Sequence, residues 1–209
     1  MLELSNLYMF ILASFLLCLA PGPDNIYVLT QGMTKSKKAA LVTTLGLCSG
    51  LIIHTSAAAF GISVIFKTSE IAFNIVKFAG AAYLLYIAFQ AFKYRNEPLD
   101  LSVQNSSNEL KKLYIKGFFM NILNPKVSIF FLAFLPQFVT PENGSVPMQM
   151  IILGLVFMAL TIIVFSFIGI AGNLLSAKLI QKPSIVKYMN IMTSFVLGGL
   201  AVKLALSQR

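Results

Sequence analysis

Apolar residues occupy the chain in six long runs, at about 7–30, 41–66, 71–92, 117–138, 148–172 and 188–206. A helix needs about 20 mainly apolar residues to cross a bilayer. Each run is long enough, and no charge cluster interrupts any of them, so the pattern predicts six transmembrane helices. The first run does not read as a cleaved leader. Glu3 stands where a signal peptide carries Lys or Arg, no small-residue cleavage site precedes a hydrophilic chain, and apolar character resumes after Asp24. The one long polar stretch, 93–116, contains Asn105-Ser106-Ser107-Asn108 and falls midway along the chain. It reads as a linker between halves of about 1–95 and 113–209, within a single transmembrane domain covering 1–209. Three helices per half is an odd number, so the second half is inverted relative to the first. The expected fold is all-α and polytopic, with two inverted three-helix repeats.

Composition narrows the function classes. The chain is 57% apolar and only 11% charged, with a mean hydropathy of +0.82. Soluble domains run near 45–50% apolar and about 25% charged, so a soluble enzyme is excluded. The six runs leave no room for a motor domain, and no G-x-x-x-x-G-K-[ST] phosphate loop occurs. The formal charge of +9 follows the loops, which hold 11 of the 16 Lys and Arg residues. Lys35, Lys37 and Lys38 follow the first run; Lys93, Arg95, Lys111, Lys112 and Lys116 follow the third; Lys178, Lys182 and Lys187 follow the fifth. The other side carries Lys67 and Arg209. The positive-inside rule then places loops one, three and five in the cytoplasm and both termini outside. The charge faces anionic lipid headgroups and calls for no nucleic acid. Cys18 and Cys48 lie in apolar runs without metal or redox spacing, and read as small buried hydrophobes. No catalytic constellation, metal site or cofactor motif is present, so no enzyme activity is expected.

Two runs are broken. The first is interrupted by Ala20-Pro21-Gly22-Pro23-Asp24-Asn25, the fourth by Asn121-Ile122-Leu123-Asn124-Pro125-Lys126. Proline removes a backbone donor and clashes with the preceding turn. Inside lipid, backbone groups released in this way must be satisfied by protein or by water. Each break falls in the first helix of its half, and Pro23 and Pro125 are 102 residues apart. Paired interruptions at corresponding positions point to a transporter's binding site. Asp24 follows Pro23 and Lys126 follows Pro125, so the repeats present an acid and a base at matching places. Such charges in mid-membrane usually face a partner or a cavity. Two arrangements are open: the pair locks the broken helices together, or it lines a polar cavity in which Asp24 meets an ammonium and Lys126 a carboxylate. Asn25 and Asn124 flank the charges and complete the set with His54, whose titration range suits a proton relay but which could equally tie two helices together. Gln31 and Gln137 follow the breaks and could frame the cavity mouths. Lys77 sits near a helix end, where it is expected to snorkel, and Lys203 also lies near an end. Gly46-Leu47-Cys48-Ser49-Gly50, Gly80 and Gly198-Gly199 permit close helix approach, in the bundle or in a homodimer.

These motifs resemble the LysE/RhtB family of bacterial amino-acid exporters. The likeness is carried by Ala20–Asn25 with Tyr27–Gln31, by Gly46–Gly50 with His54, and by Lys77–Leu84. It is strongest at Asn124-Pro125-Lys126 with Phe130-Phe131 and Phe134-Leu135-Pro136-Gln137-Phe138. It covers essentially the whole chain with its spacing intact. The resemblance implies a six-helix inner-membrane exporter of small amino acids or derivatives, nearest to the homoserine, threonine and leucine efflux members and coupled to proton entry. The expected mechanism is alternating access between the two inverted halves, with Asp24 and His54 as candidate proton carriers and Lys126 as the candidate carboxylate ligand or counter-charge to Asp24. Asn or Gln can stand at the Asp24 position in that family. Related six-helix disulfide carriers need a cysteine in each broken helix, and the fourth run has none. An exporter of a cation or another small solute, of the same superfamily, is the alternative, although metal transport favours clustered ligands.

Overall fold

In the computed structural model, residues 3–62, 70–97, 110–174 and 182–206 are described. Residues 98–109 of the expected linker, and Lys67, Lys178 and Arg209 of the charge pattern, lie outside them. Among the described residues the chain forms eight α-helices and no strand. They are α1 (Leu4–Leu19), α2 (Pro23–Thr34), α3 (Lys37–Ser56), α4 (Glu70–Lys93), α5 (Leu110–Ile122), α6 (Pro125–Ile129), α7 (Val146–Leu174) and α8 (Pro183–Leu206). The molecule is a polytopic all-α membrane protein. Four helices are long and apolar enough to cross a membrane unaided, and the count reaches six when each bent pair forms one span.

The bends fall at the expected breaks. α1 meets α2 at 57°, and α5 meets the continuous helical segment from Pro125 to Phe138 at 49°. The local causes match. Pro23 opens α2 and Pro125 opens α6 at the first helical position, where a missing N–H costs nothing. Asn124 caps α6 by accepting the Lys126 N–H at 3.0 Å. The fourth helix starts earlier than the apolar run suggested. Leu110, Leu113, Gly117 and Asn121 recur at helical spacing, and Leu113, Gly117 and Asn121 are buried. Lys111, Lys112 and Lys116 point outward from the same helix. The periodicity is amphipathic there, so a search for purely apolar residues misses its first turns.

α3 is the central helix: 61% of its most apolar stretch is buried, against 28–33% in α4, α7 and α8. It crosses α5 at backbone contact. A Cβ on Gly46 would collide with the Tyr114 carbonyl, and one on Gly50 would stand 2.8 Å from Asn121 Oδ1. The Gly46–Gly50 pair therefore serves the bundle interior. A second seam joins α2 to α7, where a Cβ on Gly32 would strike the Gly169 carbonyl. The second seam lies at the ends of the helices that carry the Lys-rich loops, called here the basic face; the first runs from Tyr114, near the basic end of α5, inward to Asn121. Gly199 on α8 has open space around it.

The opposite end closes differently. Phe130, Phe134, Phe138 and Phe10 are buried in a ring cluster, with centroids 5.1 Å apart for Phe130–Phe134 and 5.3 Å for Phe10–Phe138. Ala57–Ile62 and Phe130–Phe134 are wound as π-helix there, a form common at functional sites. Gln149 latches this end by accepting the Thr140 N–H at 3.1 Å and donating to the Thr140 carbonyl at 2.9 Å. Lys77 is buried within the protein. It shares the buried face of α4 with Ala81, Leu84 and Ala88, and its ammonium sits 4.5 Å from the Phe78 ring centroid. Packing of that face on the segment after α6 covers it, as Gly80 against Ala133 shows. Lys203 remains exposed, with its Nζ 4.8 Å from the Phe138 ring centroid.

Candidate functional site

The two bends cross, and each break is completed by the other half of the chain. Asp24, in the first turn of α2, is 2% exposed; Lys126, in the first turn of α6, is 6% exposed. The two charges do not hydrogen-bond each other. Lys126 Nζ donates to the Ala20 carbonyl at 2.9 Å and, more weakly, to Leu17 at 3.5 Å. These are carbonyls left over at the C-terminal end of α1, where the helix dipole favours a cation. A buried ammonium is tolerable on such terms, because hydrogen bonds and a partial negative charge offset its lost hydration. Gly22 makes room for it: a Cβ there would lie 2.9 Å from Lys126 Nζ.

Asp24 is held from the other side. Its Oδ2 accepts from Asn121 Nδ2 at 2.9 Å. The Asn124 side chain also lies against the carboxylate, although its Nδ2 makes no formed hydrogen bond. The Asn121 backbone carbonyl accepts from His54 Nε2 at 3.1 Å, which places the imidazole proton on Nε2. Asn121 thus links the acid to the histidine. Asn25 Nδ2 donates to the Cys18 carbonyl, and Cys18 Sγ is 3.5 Å from Thr161 Oγ1.

Asp24, Asn25 and Lys126 line one small cavity together with Cys18, Asn121 and Thr161; Leu17, Leu51, Val127, Phe157 and Phe165 form its apolar walls. The space is about the size of a water molecule. His54 and Asn124 reach it through Asn121 and Asp24. Pro21, Gly22, Pro23 and Pro125 shape the breaks around it.

The amide orientations are forced by their partners. Asn25 and Asn121 must each turn nitrogen toward an acceptor, a carbonyl and a carboxylate respectively. Their oxygens are then fixed too, and Asn25 Oδ1, Asn121 Oδ1 and Asp24 Oδ1 are all buried without a hydrogen-bond partner. Three acceptors with nothing to accept is an expensive arrangement, at about 1–3 kcal/mol each. Asn124 Nδ2, a donor against the same carboxylate, is buried without a formed bond as well, so the cluster can meet a group that carries both N–H donors and an acceptor.

Sequence reasoning placed Asp24, Asn25, Asn124, Lys126 and His54 as candidates and passed over Asn121, Cys18 and Thr161. Asn121 had a signal, being an amide inside an apolar run one turn before the break. Cys18 and Thr161 had none beyond being small polar residues in apolar helices. Gln137 lies away from this cluster and donates to the Ala133 carbonyl at 3.1 Å. Among the described residues no group of three or more His, Cys, Asp or Glu side chains comes together.

Fold and site together define a polytopic membrane protein organised around a buried polar core at two helix breaks. Residues 15–208 match the LysE type translocator family, and the chain belongs to that family. It is 31% identical over 183 residues to the homoserine/homoserine lactone efflux protein of Salmonella typhi, covering 88% of this chain and 87% of the relative. The protein of that description from Salmonella typhimurium (strain LT2) is 30% identical over the same shares. YrhP, an uncharacterized membrane protein of Bacillus subtilis (strain 168), is 28% identical over 97% of this chain and 99% of its own. No solved structure matches the chain.

Proposed function

We propose that this translocator is a secondary exporter of small amino acids or their derivatives, homoserine-type compounds first among them. It works by alternating access and is driven by proton entry. The observation that carries this reading is the set of unpartnered acceptors, Asp24 Oδ1, Asn25 Oδ1 and Asn121 Oδ1, around the crossed breaks. An α-ammonium has three N–H donors to offer them, and Asp24 supplies the compensating charge. Lys126 fastens the end of α1 with part of its ammonium and keeps a further donor for a substrate carboxylate or carbonyl. The efflux relatives, named for homoserine and its lactone, support a substrate of this size and charge.

Proton coupling falls to Asp24 and His54, joined through Asn121. A proton on Asp24 weakens its hold on an ammonium, so proton entry and amine exit compete for one carboxylate. The cavity is smaller than an amino acid, so loading requires the crossed helices to separate, and the two bends supply the hinges. In a bacterial inner membrane with loops one, three and five in the cytoplasm, the basic face is the side from which substrate enters.

The test is efflux of preloaded L-homoserine from cells or vesicles carrying the protein. Export should quicken with an inward proton gradient and fall to background with a protonophore. Intact export and pH dependence in correctly inserted Asp24→Asn and Lys126→Ala variants would overturn the site assignment. Tolerance to a metal salt but to no amino acid or analogue would replace this reading with a cation exporter.

A further inference from the structure

The exporter reading leaves several buried polar side chains unused, and among the described residues Gln31 is the largest of them with no partner at either end. Gln31 is 0% exposed, and both Nε2 and Oε1 lack a hydrogen-bond partner. It sits in the last turn of α2, where its backbone carbonyl accepts from the N–H groups of Lys35 and Ser36 at 3.0 and 3.2 Å. Seven residues separate it from Asp24, two helical turns or about 10 Å along α2, so both project from one face of the helix. Tyr27 stands on that face between them, with the Lys116 ammonium 4.8 Å from its ring centroid. On α3, the helix packed against α2, Thr44 is 1% exposed and its Oγ1 also has no partner. Thr44 lies about two turns below the start of α3 at Lys37, a depth between Gln31 and Asp24.

Burying an amide and a hydroxyl with nothing to bind is unfavourable. Leucine or valine would fill the same space without that cost. The positions are also ordered, running from the Lys35–Lys38 loop inward to the cavity. We propose that Gln31 and Thr44 form a second polar station, on the basic-face side of the Asp24 cavity, for a small zwitterionic solute. The Gln31 amide donates from Nε2 to the solute's carboxylate, while Oε1 and Thr44 Oγ1 accept from its ammonium. Ten ångströms is more than a small amino acid spans, so the solute occupies this station and the Asp24 cavity in turn. The station rests on the exporter reading and specifies where, on one side only, the substrate is first held.

The test uses the full chain reconstituted in vesicles, with radiolabelled L-homoserine supplied from either face. Gln31→Leu, Gln31→Met and Thr44→Val are the variants. Each should unfold at or above the wild-type temperature, because each removes an unpartnered polar group. Supplied from the basic face, L-homoserine should show a KM raised at least about tenfold in Gln31→Leu and Gln31→Met, the loss of a hydrogen bond to a charged group. From the opposite face the change should be much smaller. Wild-type KM at the basic face in both Gln31 variants would overturn the station while leaving the exporter reading intact. So would an equal loss at both faces accompanied by a lowered unfolding temperature, which marks a structural residue. A wild-type protein that moves no amino acid from either face would overturn the exporter reading itself, and the station with it.

Discussion

At the scale of single residues, the site depends on how buried groups find partners across the chain. Asn121 is the sharpest case: its side chain holds Asp24 and its backbone carbonyl holds His54. Asn121→Ala leaves the His54 contact to the backbone but strips the carboxylate of the hydrogen bond from Asn121 Nδ2. About 1–3 kcal/mol of stability should be lost, read as a lower unfolding temperature in detergent, and transport should fall with it. Asn121→Asp is expected to be worse, because it sets a second carboxylate against Asp24 in a buried site. Wild-type stability and transport in both variants would show that Asn121 is incidental. Asp24 and Lys126 were legible as candidates because proline acts on its own neighbours, and a charge beside a break in an apolar run stands out. Their partners were not legible. Lys126 spends its ammonium on Ala20, 106 residues away, and only the crossing of the helices decides that.

Among the elements, six apolar runs and two breaks were readable from period and proline alone. The readable part stopped where periodicity mixed. The first turns of α5 carry Lys111, Lys112 and Lys116 beside Leu113, and an apolar scan discards them. Small residues were visible, but their roles were not. Gly46 and Gly199 look alike in sequence, yet a Cβ on the first meets the Tyr114 carbonyl and a Cβ on the second meets nothing. Gly46→Ala should therefore force α3 and α5 apart and destabilise the protein by about 1–3 kcal/mol. Gly199→Ala should be neutral or slightly stabilising, since helical glycine is entropically costly. Thermal unfolding of the two variants side by side checks this pair, and equal effects would contradict the seam.

For the whole molecule, the two ends of the bundle are closed by different means. At the basic face backbone meets backbone through glycine, whereas at the opposite end phenylalanine rings and π-helical turns fill the gap. Side chains change rotamer more easily than backbones change separation, so the aromatic end is the softer closure. Phe130→Ala is expected to weaken it, leaking substrate and raising the access of small thiol reagents to Cys18 in the cavity from that side. Unchanged Cys18 labelling in a folded Phe130→Ala protein would argue against an aromatic closure. The orientation has a separate check. With the basic loops in the cytoplasm, Asn105→Cys should resist a membrane-impermeant maleimide in intact cells and react after permeabilisation.

What the sequence determined by itself was local or additive. The hydrocarbon thickness of a bilayer sets the length of each run, proline sets the breaks, and the Lys and Arg count in the loops sets the expected orientation. These need no knowledge of neighbours. Tertiary structure alone decided that Lys126 caps α1 rather than hydrogen-bonding Asp24, that Asn121 joins the acid to His54, and that three acceptor oxygens among the residues around one cavity are left without partners. Burial makes each of these matter. A polar group in water always has a partner, and one inside a helix bundle has only the partner that the crossing of two helices brings within about 3 Å.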